Sequence, residues 1–176
     1  MMRYFVLPSL KSSGFQRTIQ RKLIAPDLLQ EKVLELRSDG KSIATLNGSF
    51  DLLHAGHLEI IYQASLQADI LIVGLNTDES IQKYKSPLRP IISLEYRKQL
   101  MAALEFVDYV TWFSEIDPKE MLRKICPDVH VNGSEYGKDC VEADVVKLCG
   151  GRLYIVDLVP GLSTSAIIEK IGSLCV

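Results

Sequence analysis

The stretch Asn47-Gly48-Ser49-Phe50-Asp51-Leu52-Leu53-His54-Ala55-Gly56-His57-Leu58 leaves this chain few folds to adopt. Before it, Ser42-Ile43-Ala44-Thr45-Leu46 reads as a strand. After it, apolar residues recur with helical period at Leu58, Ile61, Ala64 and Ala68. A strand that runs through a Gly-bearing turn into a helix leaves backbone N–H groups unpaired, and α/β proteins seat anions there. His54 precedes the helix and His57 stands in its first turn, with Gly56 between them. A phosphate on those N–H groups would be within reach of both imidazoles, of the Ser49 hydroxyl and of the amides around Phe50 and Asp51. Such donors help most where negative charge grows, as when a nucleophile adds to an α-phosphate and pyrophosphate leaves. Two other readings stand beside this one. The histidines could be structural caps, or they could share a metal at i and i+3. The metal reading lacks a third ligand, because Asp51 suits bracing the turn and no cysteine is near.

The rest of the chain alternates helix and strand signals. Leu28, Leu29, Val33, Leu34 and Leu36 mark an amphipathic helix between Pro26 and Gly40. The strand at 42–47 crowds its apolar residues, as a strand buried on both faces does. A second such strand, Ile70–Leu75, leads to Asn76-Thr77-Asp78 and a short helix to residue 84, capped by Thr77 or Asp78. Tyr84–Pro90 is a two-proline loop carrying Lys85 and Arg89. Ser93 can cap a helix over 94–105, which bears Arg97. Strands at 109–113, 129–132 and 153–157 alternate with helices at 118–125 and 142–149. Ser163-Thr164-Ser165 then opens a last helix.

This order predicts an α/β fold: a doubly wound, mostly parallel five-stranded sheet with helices on both faces, Rossmann-like in plan. Ligands should lie beyond the carboxyl ends of the strands, where the strand order reverses. Residues 26–176 are expected to form a single domain. Residues 1–25 are expected to form a peripheral extension lying against it or against a partner subunit, with Arg17, Arg21 and Lys22 solvated.

Composition narrows the partners. A net charge of -2 gives no long-range attraction to nucleic acid or to an anionic membrane. No apolar run approaches a membrane span, and the opening residues do not read as a signal peptide, so the expected location is the cytoplasm. Cys126, Cys140, Cys149 and Cys175 show no CxxC spacing and read as free thiols in a reducing compartment.

Thr45 to His57 resembles the signature of the HxGH nucleotidyltransferases, and the likeness is greatest to the nucleotidyltransferase domain of ADP-heptose synthases. It extends over residues 26–172 through Leu75-Asn76-Thr77-Asp78, Lys85 with Arg89-Pro90, Arg97, Val131-Asn132-Gly133-Ser134-Glu135-Tyr136 and Gly161–Ile168. The resemblance implies that His57, His54 and Lys85 act in catalysis. It implies nucleotide and phosphate binding by Asn47, Gly48, Ser49, Phe50, Asp51, Gly56, Arg97, Ser163 and Thr164. Asn76, Asp78, Arg89, Asn132, Gly133 and Glu135 would face the acceptor. The implied substrates are a nucleoside triphosphate, ATP foremost, and a small phosphorylated sugar such as heptose 1-phosphate, or a polyol. Mg²⁺ would be bound mainly through the triphosphate. The acceptor phosphate would attack the α-phosphorus in line and release pyrophosphate, without a general base. A homodimer is implied as well.

The chain departs from the heptose-type pattern in two places. Asn132-Gly133 stands where Lys-Gly is usual, and Gln82 replaces a usual lysine. Leu158-Val159-Pro160-Gly161 lacks the arginine that glycerol-phosphate cytidylyltransferases carry before the final turn, which favours the heptose branch. The kinase domain fused to some heptose enzymes is not expected. A CTP-dependent enzyme of the glycerol-phosphate type and a non-catalytic nucleotide-binding regulatory module remain as alternatives, while no GxGxxG supports a dinucleotide site. Several residues also have plain structural readings. Ser163 and Thr164 can cap the last helix, a role worth about 1 kcal/mol. Arg97 can form an ion pair, and His130 can pack in its strand.

Overall fold

The computed structural model describes residues 9–137, 140–157, 159 and 161–174. Five parallel strands lie in the order β3-β2-β1-β4-β5. They are β1 (Ile43–Gly48), β2 (Ile70–Asn76), β3 (Tyr109–Phe113), β4 (Val129–Gly133) and β5 (Arg152–Val156). Thr45 of the central strand sits opposite Ile72 on one side and His130 on the other.

Alternate residues of each strand enter different cores, because side chains in a strand point to opposite faces. Ala44 and Leu46 pack with Ile61 and Ala64 of α3 (Ala55–Ser65) and with Met101 and Ala102 of α5 (Leu94–Ala102). Ile43 and Ile72 face the other way, onto α2 (Leu29–Ser38), α6 (Lys119–Ile125) and α7 (Ala143–Leu148). Both faces are therefore covered, which is why apolar residues crowd along β1 and β2 instead of alternating with polar ones. The chain builds outward from β1 to β3, then returns to place β4 on the other side of β1. The carboxyl ends of β1 and β4 flank that reversal.

Several local expectations change. The helix expected over 94–105 ends at Ala102, and Ser93 gives it no side-chain cap. Asp78, at the start of α4 (Asp78–Tyr84), accepts the Leu94 N–H instead, at 2.8 Å. The N-terminal segment is more than a solvated extension. After α1 (Ser9–Gln20), Ile24 donates to the Val110 carbonyl at 2.9 Å and Val110 to the Lys22 carbonyl at 2.8 Å, along the outer edge of β3. Ile19 and Ile24 are core residues. The Lys22 ammonium is not left to solvent: it donates to the Leu104 and Val107 carbonyls at 2.8 and 2.6 Å, and burial lowers its pKa.

The expectation of free thiols also fails for one pair. Cys126 and Cys149 form a disulfide, while Cys140 is free among the described residues and Cys175 lies outside them. The two partners are 23 residues apart, at the ends of α6 and α7, and adjacent strands bring those ends together. Leu158 and Pro160 of the stretch before the last helix likewise lie outside the described residues. Among the described residues no helix is long and apolar enough to cross a membrane.

Candidate active site

A cavity of about 540 Å³ opens at the strand-order reversal. Asn47 and Gly48 from the exit of β1 line it, with Asn132 and Gly133 from the exit of β4. The start of α8 (Thr164–Leu174) closes one side and the basic loop after α4 closes another.

His54 occupies the N-cap of α3 with extended backbone. Its Nδ1 accepts the His57 N–H at 3.4 Å, and its carbonyl accepts the N–H groups of His57 and Leu58. Capping by His54 is therefore real, yet its ring still lines the cavity. The two imidazoles stack with centroids 3.7 Å apart, and the Phe50 ring meets His57 edge-on at 5.1 Å. Phe50 reaches that position from a left-handed φ of 44°, which turns the chain sharply after β1. Gly56 permits the stack: a Cβ there would come within 3.2 Å of the His54 ring and 3.4 Å of Leu162 Cβ. His54 Nε2 and His57 Nδ1 are buried without a hydrogen-bond partner, as unmet groups awaiting a ligand would be. Burial, with the His54 and Lys85 charges adding to it, pushes the His57 pKa down to about 4. Burial also lowers that of His54.

In the same cavity as the histidines, Lys85 Nζ donates to Ser49 Oγ at 2.7 Å, and the Tyr84 hydroxyl lies 3.2 Å from the same oxygen. Burial, followed by the Arg89 charge, lowers the Lys85 pKa. Asp51 is the brace of this region. Its carboxylate accepts Arg89 Nε at 2.6 Å and the N–H groups of Ile91 and Ile92 at 2.7 and 2.9 Å. Burial alone would raise its pKa, but these donors outweigh it and hold the carboxyl below the usual range. Asp51 thereby ties the turn after β1 to the basic loop. Arg89 lines the cavity, with its Nη2 buried and unpartnered.

Four residues expected to meet a ligand do not line the cavity. Arg97 is 1% exposed and its guanidinium is already engaged. It donates to the carbonyls of Ile92, Ser49 and Asn76 and to Asp78 Oδ1. Four of a guanidinium's five N–H groups are thus used in holding the β1 and β2 exits together, and a phosphate contact is replaced by a structural one. Asp78 is bound to Arg97 and to the Leu94 N–H, and Asn76 donates to Ser80 Oγ. Both serve the same framework rather than an acceptor. Asp51, for the same reason, braces the turn and does not line the cavity.

On the remaining wall, Ser163 and Thr164 line the cavity, and Ser163 Oγ also accepts the Ala166 N–H at 3.1 Å. Glu135 folds back over Gly133, where a Cβ would stand 2.0 Å from Glu135 Oε2. Ser86, Tyr136 and Ser165 join the lining without having been singled out. Their places beside Lys85, Glu135 and Thr164 were the available signal. The cavity therefore presents ammonium, guanidinium, imidazole and hydroxyl groups together, a donor set for a chain of phosphates. Among the described residues no group of three or more His, Cys, Asp or Glu side chains is arranged to hold a metal.

Comparison with known proteins agrees with this plan. The cytidylyltransferase-like family model matches residues 45–170. The bifunctional protein HldE of Wolinella succinogenes is 42% identical over 160 residues, covering 90% of this chain and 33% of that protein. HldE of Syntrophotalea carbinolica is 44% identical over 141 residues, covering 79% of this chain and 29% of its own. The chain thus spans about a third of the length of the curated relatives it matches. Among solved structures, pantoate-beta-alanine ligase from Francisella tularensis superposes with a TM-score of 0.63 at 17% identity, over 84% of this chain and 72% of that one. A lipopolysaccharide core biosynthesis protein from Thermoplasma volcanium gives 0.55 at 24%, over 68% and 98%. These two likenesses concern the fold alone. With its sheet order, its strand–turn–helix site and a family match across most of its length, the chain belongs to the cytidylyltransferase-like family.

Proposed function

We propose that the protein transfers the nucleoside monophosphate of a nucleoside triphosphate, ATP foremost, to a phosphorylated sugar such as heptose 1-phosphate and releases pyrophosphate. The observation that carries this reading is one cavity that His54 and His57, with unpartnered ring nitrogens, line together with Lys85 and Arg89. Relatives named bifunctional protein HldE support the heptose choice, in keeping with the resemblance to ADP-heptose synthases. Residues 26–176 act as the catalytic unit, with 1–25 as an extension against it.

The residues have distinct parts. Backbone N–H groups after β1 and the Ser163–Thr164 hydroxyls hold the triphosphate, and Lys85 and Arg89 balance its charge. His57, neutral in the free protein, donates a hydrogen bond to the α-phosphate oxygens as negative charge accumulates there. His54 caps α3 and fixes the His57 ring by stacking. The acceptor phosphate is already anionic at neutral pH and attacks without a base. Among the described lining residues Glu135 is the one carboxylate beside several cations and hydroxyls, which suits Mg²⁺ carried on the triphosphate and held by its oxygens. When bound, the ion supplies charge neutralisation along the phosphates. A homodimer and a cytoplasmic location complete the proposal.

The test is pyrophosphate release with Mg²⁺, each nucleoside triphosphate in turn and a panel of sugar phosphates. Product from ATP and heptose 1-phosphate is expected. Turnover of CTP with glycerol 3-phosphate alone would replace this reading with the glycerol-phosphate one. Tight nucleotide binding without product in any combination would leave the regulatory module.

A further inference from the structure

A buried polar cluster lies behind the β4 wall of the cavity and has no part in gripping phosphate. His130 and Asn132 alternate along β4 with Val129 and Val131, which enter the α3 core, so they point to the opposite face. Ile43, Ile72, Val145 and Val146 are apolar neighbours on that face. Thr45 and His130 are both 0% exposed and joined through Oγ1 and Nδ1 at 2.8 Å. Glu142, at the N-cap of α7, is 5% exposed and accepts Asn132 Nδ2 at 3.3 Å. Polar groups buried this deeply cost several kcal/mol relative to aliphatic ones unless their hydrogen bonds are made. Of these four residues, only Asn132 also lines the cavity.

We propose that Glu142 is a positioning residue for substrate: it holds the Asn132 amide by its nitrogen and turns the carbonyl oxygen, Oδ1, toward the cavity as the acceptor for a sugar hydroxyl. Donation from Nδ2 to a carboxyl polarises the amide and strengthens Oδ1 as an acceptor. The rest of the lining offers donors, in Lys85, Arg89 and the histidines, which suit phosphate oxygens. A hydroxyl needs an acceptor, and the amide oxygen, with two lone pairs, can take one besides its contact with the His130 ring. This also gives a physical sense to asparagine at a position where a lysine would meet phosphate. The shared chemistry is an O–H group, carried by either the ribose of the nucleotide or the acceptor sugar. The proposal rests on the nucleotidyltransferase reading for the identity of those two substrates.

The test compares wild type with Glu142→Leu, Glu142→Gln and Asn132→Ala in the full chain. ATP, 2′-deoxyATP and 3′-deoxyATP are each used at saturating heptose 1-phosphate, and heptose 1-phosphate and its deoxy analogues at saturating ATP. Leucine suits the apolar face and removes the acceptor for Asn132, whereas glutamine keeps a carbonyl there. Glu142→Leu and Asn132→Ala should each raise the KM of one substrate about tenfold, the loss of one good hydrogen bond, with kcat within about twofold. Glu142→Gln should recover most of that loss. The analogue lacking the recognised hydroxyl should have the same KM in every protein, and its identity assigns ribose or acceptor sugar. Unchanged KM values in folded Glu142→Leu, or equal losses for every analogue, would overturn the proposal. A wild type that turns over no pair counts against the nucleotidyltransferase reading alone. Calorimetric titration of ATP, its two deoxy forms and heptose 1-phosphate then decides the hydroxyl assignment by the same ratios.

Discussion

The rings of His54 and His57 stack at 3.7 Å, so a proton on either one is opposed by its neighbour. Burial, with that opposition added to it, pushes the His57 pKa down to about 4, well under the ordinary 6.5. A titration of the His57 ring protons by NMR should therefore find a neutral imidazole at pH 6 in the free protein. Adding pyrophosphate should move its midpoint upward, since a bound anion favours the charged ring. Between pH 6.5 and about 4 the unfolded chain takes up the proton that folded His57 refuses, so stability is full above pH 6.5 and falls as the pH drops. Urea midpoints measured across that window should decline toward acid, and His57→Ala should flatten the decline.

His57→Ala should lower kcat by about 10²–10³-fold, the usual loss for one donor to developing charge. The nucleotide KM should stay within a few-fold and the melting temperature within a few degrees. Turnover near the wild-type rate would rule His57 out as the group that stabilises the transition state.

Asp51→Ala should cost about 3–5 kcal/mol of stability, because it strands the Arg89 charge and two backbone N–H groups in a buried setting. Asp51→Asn should cost less, as it keeps one acceptor. Both should weaken nucleotide binding, since the basic loop loses its tie to the turn. Denaturant unfolding and calorimetry would separate the two effects.

Arg97→Lys tests whether this side chain is framework or ligand. A lysine cannot serve four acceptors spread over the turn after β1, the β2–α4 junction and the segment before α5, so unfolding free energy should drop by about 3 kcal/mol. Weaker nucleotide affinity with unchanged stability would restore the phosphate contact.

Much of the fold was readable because fully buried parallel strands announce themselves as apolar runs, as Ile70–Leu75 does. The turn from Asn47 to His57 was readable because residue types there are dictated by local backbone geometry. For Arg97 the ion-pair reading holds and the phosphate reading fails, for the opposite reason. Three of its partners are carbonyl oxygens, and any residue could stand at Ser49, Asn76 or Ile92 and supply one. Glu142 gave no signal at all, since it reaches Asn132 by the return of α7 over β4 and not by any spacing rule. The Cys126–Cys149 bond likewise follows from which strands are neighbours.

The short pairing of Leu23 with Val110 makes the two margins of the sheet unequal. An incoming strand at β3 would first have to strip away the Lys22 and Ile24 hydrogen bonds to Val110. At β5, the opposite margin, no strand among the described residues stands in its way. Growth of the sheet by added strands, in assembly or in aggregation, is thereby directed to Arg152–Val156.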